Sequence, residues 1–421
     1  MALGALFPGP LSIVASGVSA AFQGISAAAP YVIFFTVAAA IIDMLRKGHA
    51  GRFAIAVSAT FVAIGLVASL LAILLAVPLY GLSWSGGGAA RGLVAPGETL
   101  GQVVATHLTQ SLVAVLYAIV ASVAVHHLAR WRPAARAANA TLDVVRYVGV
   151  EGMSLLGRGI RAAFPLLLLA VGIFVPASIS KAVGAAARGL GGSAPLQTAF
   201  GSHPLGVYLV VLWVQLVAYA VFMVGATALV CWTTGFPVRR FVREYLALVY
   251  PFAWATASSA ACIPVNLERT EALGVRKEVR DFVIPLGATV NLDGTVMASF
   301  IITPMAAMLV GYRPTFVDLL LLVIPIKLVT MGVPGIPGGI AVVVPPVVAD
   351  VLPIPSEARS AFLALWFAFS VGLSDQFRTG VNTTTNGLVA IVFERLYPRW
   401  FEKRVAPAPA GEPQPEPATE A

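Results

Sequence analysis

The chain has 421 residues, of which 58% are hydrophobic and only 11% charged. That excludes a water-soluble globular domain, and several apolar runs exceed the roughly 18 residues that mark a membrane span. The formal charge of +8 invites a nucleic-acid partner, but the basic residues gather in short loops between the apolar runs, so none is expected. Two cysteines in apolar context and five histidines without ligand spacing offer neither a disulfide framework nor a metal centre. No Lys or Arg precedes Arg46, so the start lacks the basic region of a cleaved signal peptide and the first apolar segment is expected to be retained.

In chain order, spans are predicted at about 11–45, 53–82, 106–128, 163–180 and 205–232. Residues 11–45 could reach roughly 50 Å as a helix, which suits one tilted span. The connecting loops alternate between basic and nearly neutral. Arg46, Lys47 and Arg52 mark one side, Arg130, Arg132, Arg136 and Arg146 the same side again, and Arg239, Arg240 and Arg243 once more. The positive-inside rule puts these loops in the cytoplasm and the N-terminus outside. A glycosylation sequon at Asn139 to Thr141 follows one of these basic stretches and is discounted.

Simple alternation then fails. Residues 244–268, EYLALVYPFAWATASSAACIPVNLE, have basic clusters at both ends, and each arm beside the small, polar centre is too short to cross. A re-entrant hairpin is predicted. Residues 316–352 repeat the pattern, with four glycines and two prolines in GVPGIPGG between two apolar arms. Such backbone is tolerated at membrane depth only where protein or a wet cavity satisfies its N–H and C=O groups. Lys327 in the first of these arms could snorkel, face a cavity or neutralise Asp318, and snorkelling is the favoured reading.

Between the hairpins, VIPLGATVNLDGTVMASFII (283–302) would be an ordinary apolar helix but for Asn291, Asp293, Gly294 and Thr295. Gly294 weakens the helix, Asn291 and Asp293 compete for backbone hydrogen bonds, and Pro285 and Gly287 loosen the preceding turn. An unwound middle would set carbonyl oxygens beside a carboxylate, which are ligands for a hard cation. The alternative is a kinked structural helix whose Asp293 bonds a neighbour.

A last span is predicted at about 360–393. On it Asp375, Arg378, Thr379, Asn382 and Asn386 fall within roughly 100° of arc. An ionised side chain at the bilayer centre costs about 2.5 to 3.5 kcal/mol on insertion scales, so two of them need partners or a polar ligand. A self-neutralising i,i+3 pair of Asp375 with Arg378 is the bland alternative, and it leaves Asn382 and Asn386 unexplained. The tail at 405–421 reads as disordered.

Four stretches together resemble the dicarboxylate/amino acid:cation symporter family, the glutamate transporter homologues. They are PLGATVNLDGT, similar to an Asn-Met-Asp-Gly-Thr signature with Leu292 for Met, the serine-bearing TASSAACIP, the glycine-rich GVPGIPGG, and DQFRTGVNTTTNG, in collinear order. The resemblance implies an all-α polytopic membrane protein with a glutamate-transporter-like fold, about seven transmembrane helices and two re-entrant helical hairpins. It implies a scaffold of 1–52 and 83–204, and a transport domain of 53–82 and 205–404. It further implies a homotrimer in the plasma (inner) membrane, moving like an elevator.

Carried over residue by residue, Arg378 matches the grip on a substrate carboxylate and Asp375 the partner of an amino group. Thr379, Asn382, Thr295, Ser258 and Ser259 match substrate contacts, as do Ile336, Gly338 and Gly339 at the second tip. Gly287, Thr289, Asn291, Asp293, Asn382 and Asn386 match cation sites. The implied function is symport of an acidic amino acid or C4-dicarboxylate with Na⁺ or H⁺ and no cofactor. A C4-dicarboxylate proton symporter or an uncoupled anion channel are the alternatives.

Three departures from the family pattern matter. Asn386 stands where sodium-coupled glutamate members carry aspartate. Phe61, Ile64 and Gly65 stand near where a polar Tyr and Thr/Ser cluster would fall. The ten residues before 11–45 cannot make the helix that usually precedes it. An intramembrane enzyme is not expected, since Ser258 and Ser259 have no obvious base.

Overall fold

A computed structural model describes residues 31, 34–35, 38, 42, 51–85, 110–131, 134–148, 151, 204–331 and 338–400. The described secondary structure is helical. The expected spans at 11–45 and 163–180, the tail and Ile336 lie wholly or mostly outside these residues.

Helix α1 runs Gly51–Leu79, α2 Gln110–Leu128 and α3 Pro204–Thr234. A short α4 (Val238–Arg240) passes through a π-helical turn, Phe241–Leu246, into α5 (Ala247–Thr256), and the chain returns along α6 (Ile263–Ala272). The reversal is made by Ala257, which takes the left-handed conformation (φ 47°) that L-residues avoid, and by the short turn after it. The first arm therefore starts before residue 244, because Pro237 sets the start of a helix and the π turn carries it on.

Helices α7 (Lys277–Val290) and α8 (Asp293–Leu309) are separated at Asn291 and Leu292, whose ψ angles of 79° and 57° are not helical. The second reversal has α9 (Phe316–Leu321) and α10 (Val323–Thr330) on one arm and α11 (Ile340–Val351) on the other. Helix α12 (Arg359–Ser370) is followed by α13 (Leu373–Trp400).

The predicted continuous span over 360–393 is thus corrected. The helix stops at Ser370, Val371 is extended (ψ 173°), and Gly372 takes φ +68°, a value a side-chain-bearing residue would resist. One consequence is that Asp375 sits in the first turn of a helix rather than in mid-span.

Among the described residues, three stretches are long and apolar enough to cross a membrane: Ile55–Leu79, Gly206–Thr234 and Lys277–Leu309, the last containing the Asn291–Leu292 break. The protein is a membrane protein. Helices α8 and α13 form the middle of the described bundle, α8 packing on α1, α3, α12 and α13, and α13 on α3, α5 and α7. Two apolar clusters meet there. One includes apolar residues between Val279 and Val290 of α7 and Leu388–Ile391 of α13, the other Leu292 at the break, apolar residues between Val296 and Leu309 of α8, and Val381. Between them on α13 lie the polar residues Asn382 to Asn386, buried without exception. Their helix survives the run of β-branched side chains because the hydroxyls bond back to it: Thr384 to Gly380 O at 2.7 Å and Thr385 to Val381 O at 3.1 Å.

Candidate functional site

The polar residues converge at the two breaks. At the break between α12 and α13, the Asp375 carboxylate lies at the start of α13, where the helix dipole favours negative charge. Arg378, 2% exposed, bonds it at 2.7 Å and sends its other terminal nitrogen to the Ser370 carbonyl at 2.8 Å. Ser370 O ends α12 and has lost its helical partner, so it suits a cation. Each half of the pair is therefore stabilised by the broken helix as well as by the other half.

The second oxygen of Asp375 accepts the Gly338 N–H at 2.7 Å. This brings the residues at the start of α11 down onto α13. Gly339 follows as the residue before α11 and is buried. The Asp375–Arg378 contact is the i,i+3 pair anticipated as the bland alternative, but it is also the seat of the second reversal. Thr379 bonds the Asp375 carbonyl at 2.7 Å and stays within its own helix.

One turn further along, Asn382 clamps the start of α8. Its Oδ1 accepts the Thr295 N–H at 3.1 Å and its Nδ2 donates to Thr295 Oγ1 at 2.9 Å. The close crossing is possible because residue 294 is glycine: a Cβ there would lie 2.5 Å from the Arg378 carbonyl oxygen. From the first reversal, Ser259 is buried and accepts the Thr383 hydroxyl at 3.4 Å. Ser258 Oγ accepts the Ala261 N–H at 3.3 Å, a bond within the turn itself.

The cation-type residues gather at the other break. Asn291 Nδ2 donates to Thr385 Oγ1 and to Asn386 Oδ1, each at 2.9 Å. Gly287 admits Asn386, whose Oδ1 lies 2.3 Å from where a Cβ would stand. Thr289 is turned away from this group and bonds Leu286 O at 2.9 Å. Asp293 is fully buried, with Thr385 and Asn291 as its neighbouring side-chain donors, and neither carboxylate oxygen has a well-formed hydrogen bond. Asn291 Oδ1 is likewise without one. Buried acceptors short of well-formed hydrogen bonds around an unwound segment fit a positive charge, since under-satisfied buried carboxylate oxygens are costly.

Sequence reasoning missed two features and misplaced a third residue. Gln215 of α3, fully buried, joins Tyr219 (3.1 Å) and Ser374 (2.7 Å), and Tyr219 also reaches Gly294 O at 3.2 Å. A glutamine in an otherwise apolar span was the available signal. Tyr245 bonds Asn266 Oδ1 at 2.5 Å, and both residues reach the Thr383 carbonyl, fixing the first reversal to α13. Lys327 does not snorkel: it is 2% exposed and bonds Val290 O at 3.4 Å. Nor does it meet Asp318, which accepts from Thr315 N and Tyr312 Oη.

Two reversals and two broken helices enclose buried charge, which in a membrane protein is costly and needs partners or a polar ligand. Residues 193–396, the stretch containing both reversals and both breaks, match the model of the Sodium:dicarboxylate symporter family.

Proposed function

We propose that the protein is a secondary active symporter that carries an acidic amino acid such as aspartate or glutamate, or a C4-dicarboxylate, together with Na⁺ or H⁺. Members of the matched family are transporters, not enzymes. The observation that carries the finer reading is the buried Asp375–Arg378 pair covered by Gly338. A guanidinium offers a planar fork that matches a carboxylate bidentately. An incoming substrate carboxylate would take the place of Asp375 on Arg378, freeing Asp375 for a substrate ammonium group. The Gly338 contact with Asp375 would then be lost, so binding at the pair and movement of the second reversal are linked.

In this reading the two reversals are re-entrant hairpins, the second being the gate. Thr379, Asn382, Thr295, Ser258, Ser259, Gly338 and Gly339 contribute to the solute site, and Ile336, outside the described residues, is assigned to the same set by resemblance. Gly287, Thr289, Asn291, Asp293, Asn382 and Asn386 are the positions assigned to the cation sites by resemblance, Thr289 needing to turn toward the group to take part. The transport domain of 53–82 and 205–404 moves elevator-fashion in a homotrimer of the plasma membrane, N-terminus outside and C-terminus in the cytoplasm.

The C4-dicarboxylate reading with proton coupling is favoured by one observation, the neutral Asn386, whose amide is engaged with Asn291. Competition in proteoliposomes separates the two. If Asp375 holds an ammonium group, aspartate outcompetes succinate, and Asp375→Ser narrows the preference. Equal competition before mutation supports the dicarboxylate. A substrate-independent current as the main activity would contradict both and indicate a channel.

A further inference from the structure

The site described above leaves Lys327 unused, although a buried ammonium is among the costliest groups a membrane protein can hold. Its surroundings are specific. The side chain of α10 lies across α1 at Gly65, where a Cβ would stand 2.4 Å from Nζ and 2.6 Å from Cε, so any larger residue would displace it. Nζ donates to Val290 O, the last carbonyl of α7. The opposite charge acting on it is Asp293, across the break and without a direct ion-pair contact.

The two breaks therefore share one plan. At each, a carboxylate sits in the first turn of the restarting helix, Asp375 on α13 and Asp293 on α8. At each, a buried basic side chain bonds the final carbonyl of the helix that stopped, Arg378 at Ser370 and Lys327 at Val290. Helix dipoles favour both placements. The charge count at the second break is then closed. Asn386 is neutral, Asp293 contributes one negative charge, and Lys327 contributes one positive charge. Gly65 opens the space for it in the part of α1 where family resemblance led to the expectation of a polar cluster.

We propose that Lys327 is a tethered cation: its ammonium supplies, at the Asn291–Asp293 break, the positive charge that a free monovalent cation would otherwise bring. A lysine suits this role because its ammonium is a compact point charge with three donors on a flexible stem. The inference rests on the symport reading only in calling this a coupling site. Its test needs no transport.

The test uses the purified full-length chain in detergent, with thermal unfolding followed in sodium chloride and in choline chloride at equal ionic strength. Lys327→Met leaves Asp293 uncompensated and opens the space. It is expected to lose stability in choline and to regain about 3 °C or more of Tm in saturating Na⁺ or Li⁺, with a matching gain in ²²Na⁺ binding. The wild type is expected to respond less. A wild-type response as large as the variant's, or a variant as stable as wild type in choline and indifferent to Na⁺, overturns the proposal.

Should Lys327→Met fail to assemble, Lys327→Met with Asp293→Asn removes both charges. Recovery of assembly without a Na⁺ response supports charge compensation, and a double variant no better than the single one overturns it. If uptake assays refute the proposed substrates while the sodium response of Lys327→Met persists, only the functional reading falls.

Discussion

Gly294→Ala tests whether α8 and α13 must touch at the place where Arg378 is held. An added methyl group has two opposing effects. Alanine is favoured over glycine by about 1 kcal/mol in a helix interior, which is an upper bound for Gly294 in the first turn of α8. Against this, the new Cβ would stand 2.5 Å from the Arg378 carbonyl oxygen, 2.9 Å from Val381 Cβ and 3.1 Å from Arg378 Cα. The first of these is about 0.9 Å short of ordinary contact, and two of the three atoms belong to backbone, which cannot rotate away. Relief requires the helices to separate, which breaks the paired bonds of Asn382 with Thr295. Overpacking of about 1 to 3 kcal/mol plus roughly 1 kcal/mol for each lost hydrogen bond outweighs the helical gain, for a net loss of about 2 to 4 kcal/mol. Gly225→Ala on α3 is the control, because nothing lies within 4 Å of its Cβ position and only the favourable effect remains. Melting of the detergent-solubilised chain should show Gly294→Ala well below wild type and Gly225→Ala at or above it. Equal melting of Gly294→Ala and wild type, with substrate uptake intact, would refute the close crossing.

Four further outcomes are expected. Arg378→Ala leaves Asp375 buried with the Gly338 N–H but no cation and should cost about 3 to 5 kcal/mol in melting experiments, while Arg378→Lys retains charge but cannot bridge Asp375 and Ser370 O together. Tyr245→Phe removes the donor to Asn266 and should destabilise by about 1 to 3 kcal/mol, read as faster hydrogen exchange across residues 257–272. Gly65→Ala pushes the Lys327 ammonium off Val290 O and should reproduce the sodium response of Lys327→Met in the same melting assay, whereas an unchanged response would separate Gly65 from Lys327. Asn386→Asp adds a second carboxylate at the α7–α8 break and should increase the sodium dependence of uptake and melting.

The interruptions that matter most were legible where several residues pointed the same way. Asn291, Asp293 and Gly294 each oppose a helix locally, and Pro285 adds a missing donor, so a break near 291 followed from backbone chemistry alone. The polar stripe from Asp375 to Asn386 was equally visible, because buried polar residues at helical spacing are rare in an apolar chain. The break at Val371 and Gly372 was not, since one glycine between apolar turns is compatible with a continuous helix. It is stabilised by the Ser370 carbonyl meeting Arg378 and by Ser374 meeting Gln215, both tertiary contacts. The direction of Lys327 was hidden for a related reason. Snorkelling and burial look alike in sequence, and the decision lies in Gly65, a residue 262 positions away that makes room.

Symport as proposed depends on a negatively charged solute displacing Asp375 from Arg378. The most direct measurement is counterflow in liposomes loaded with unlabelled aspartate or succinate, with external labelled substrate, each with and without Na⁺ and a pH gradient. Wild-type protein is expected to accumulate label transiently for at least one of the two solutes, and Arg378→Ala, still inserted and assembled, to accumulate none. Undiminished counterflow by Arg378→Ala, or none by the wild type under any of these gradients, would contradict it.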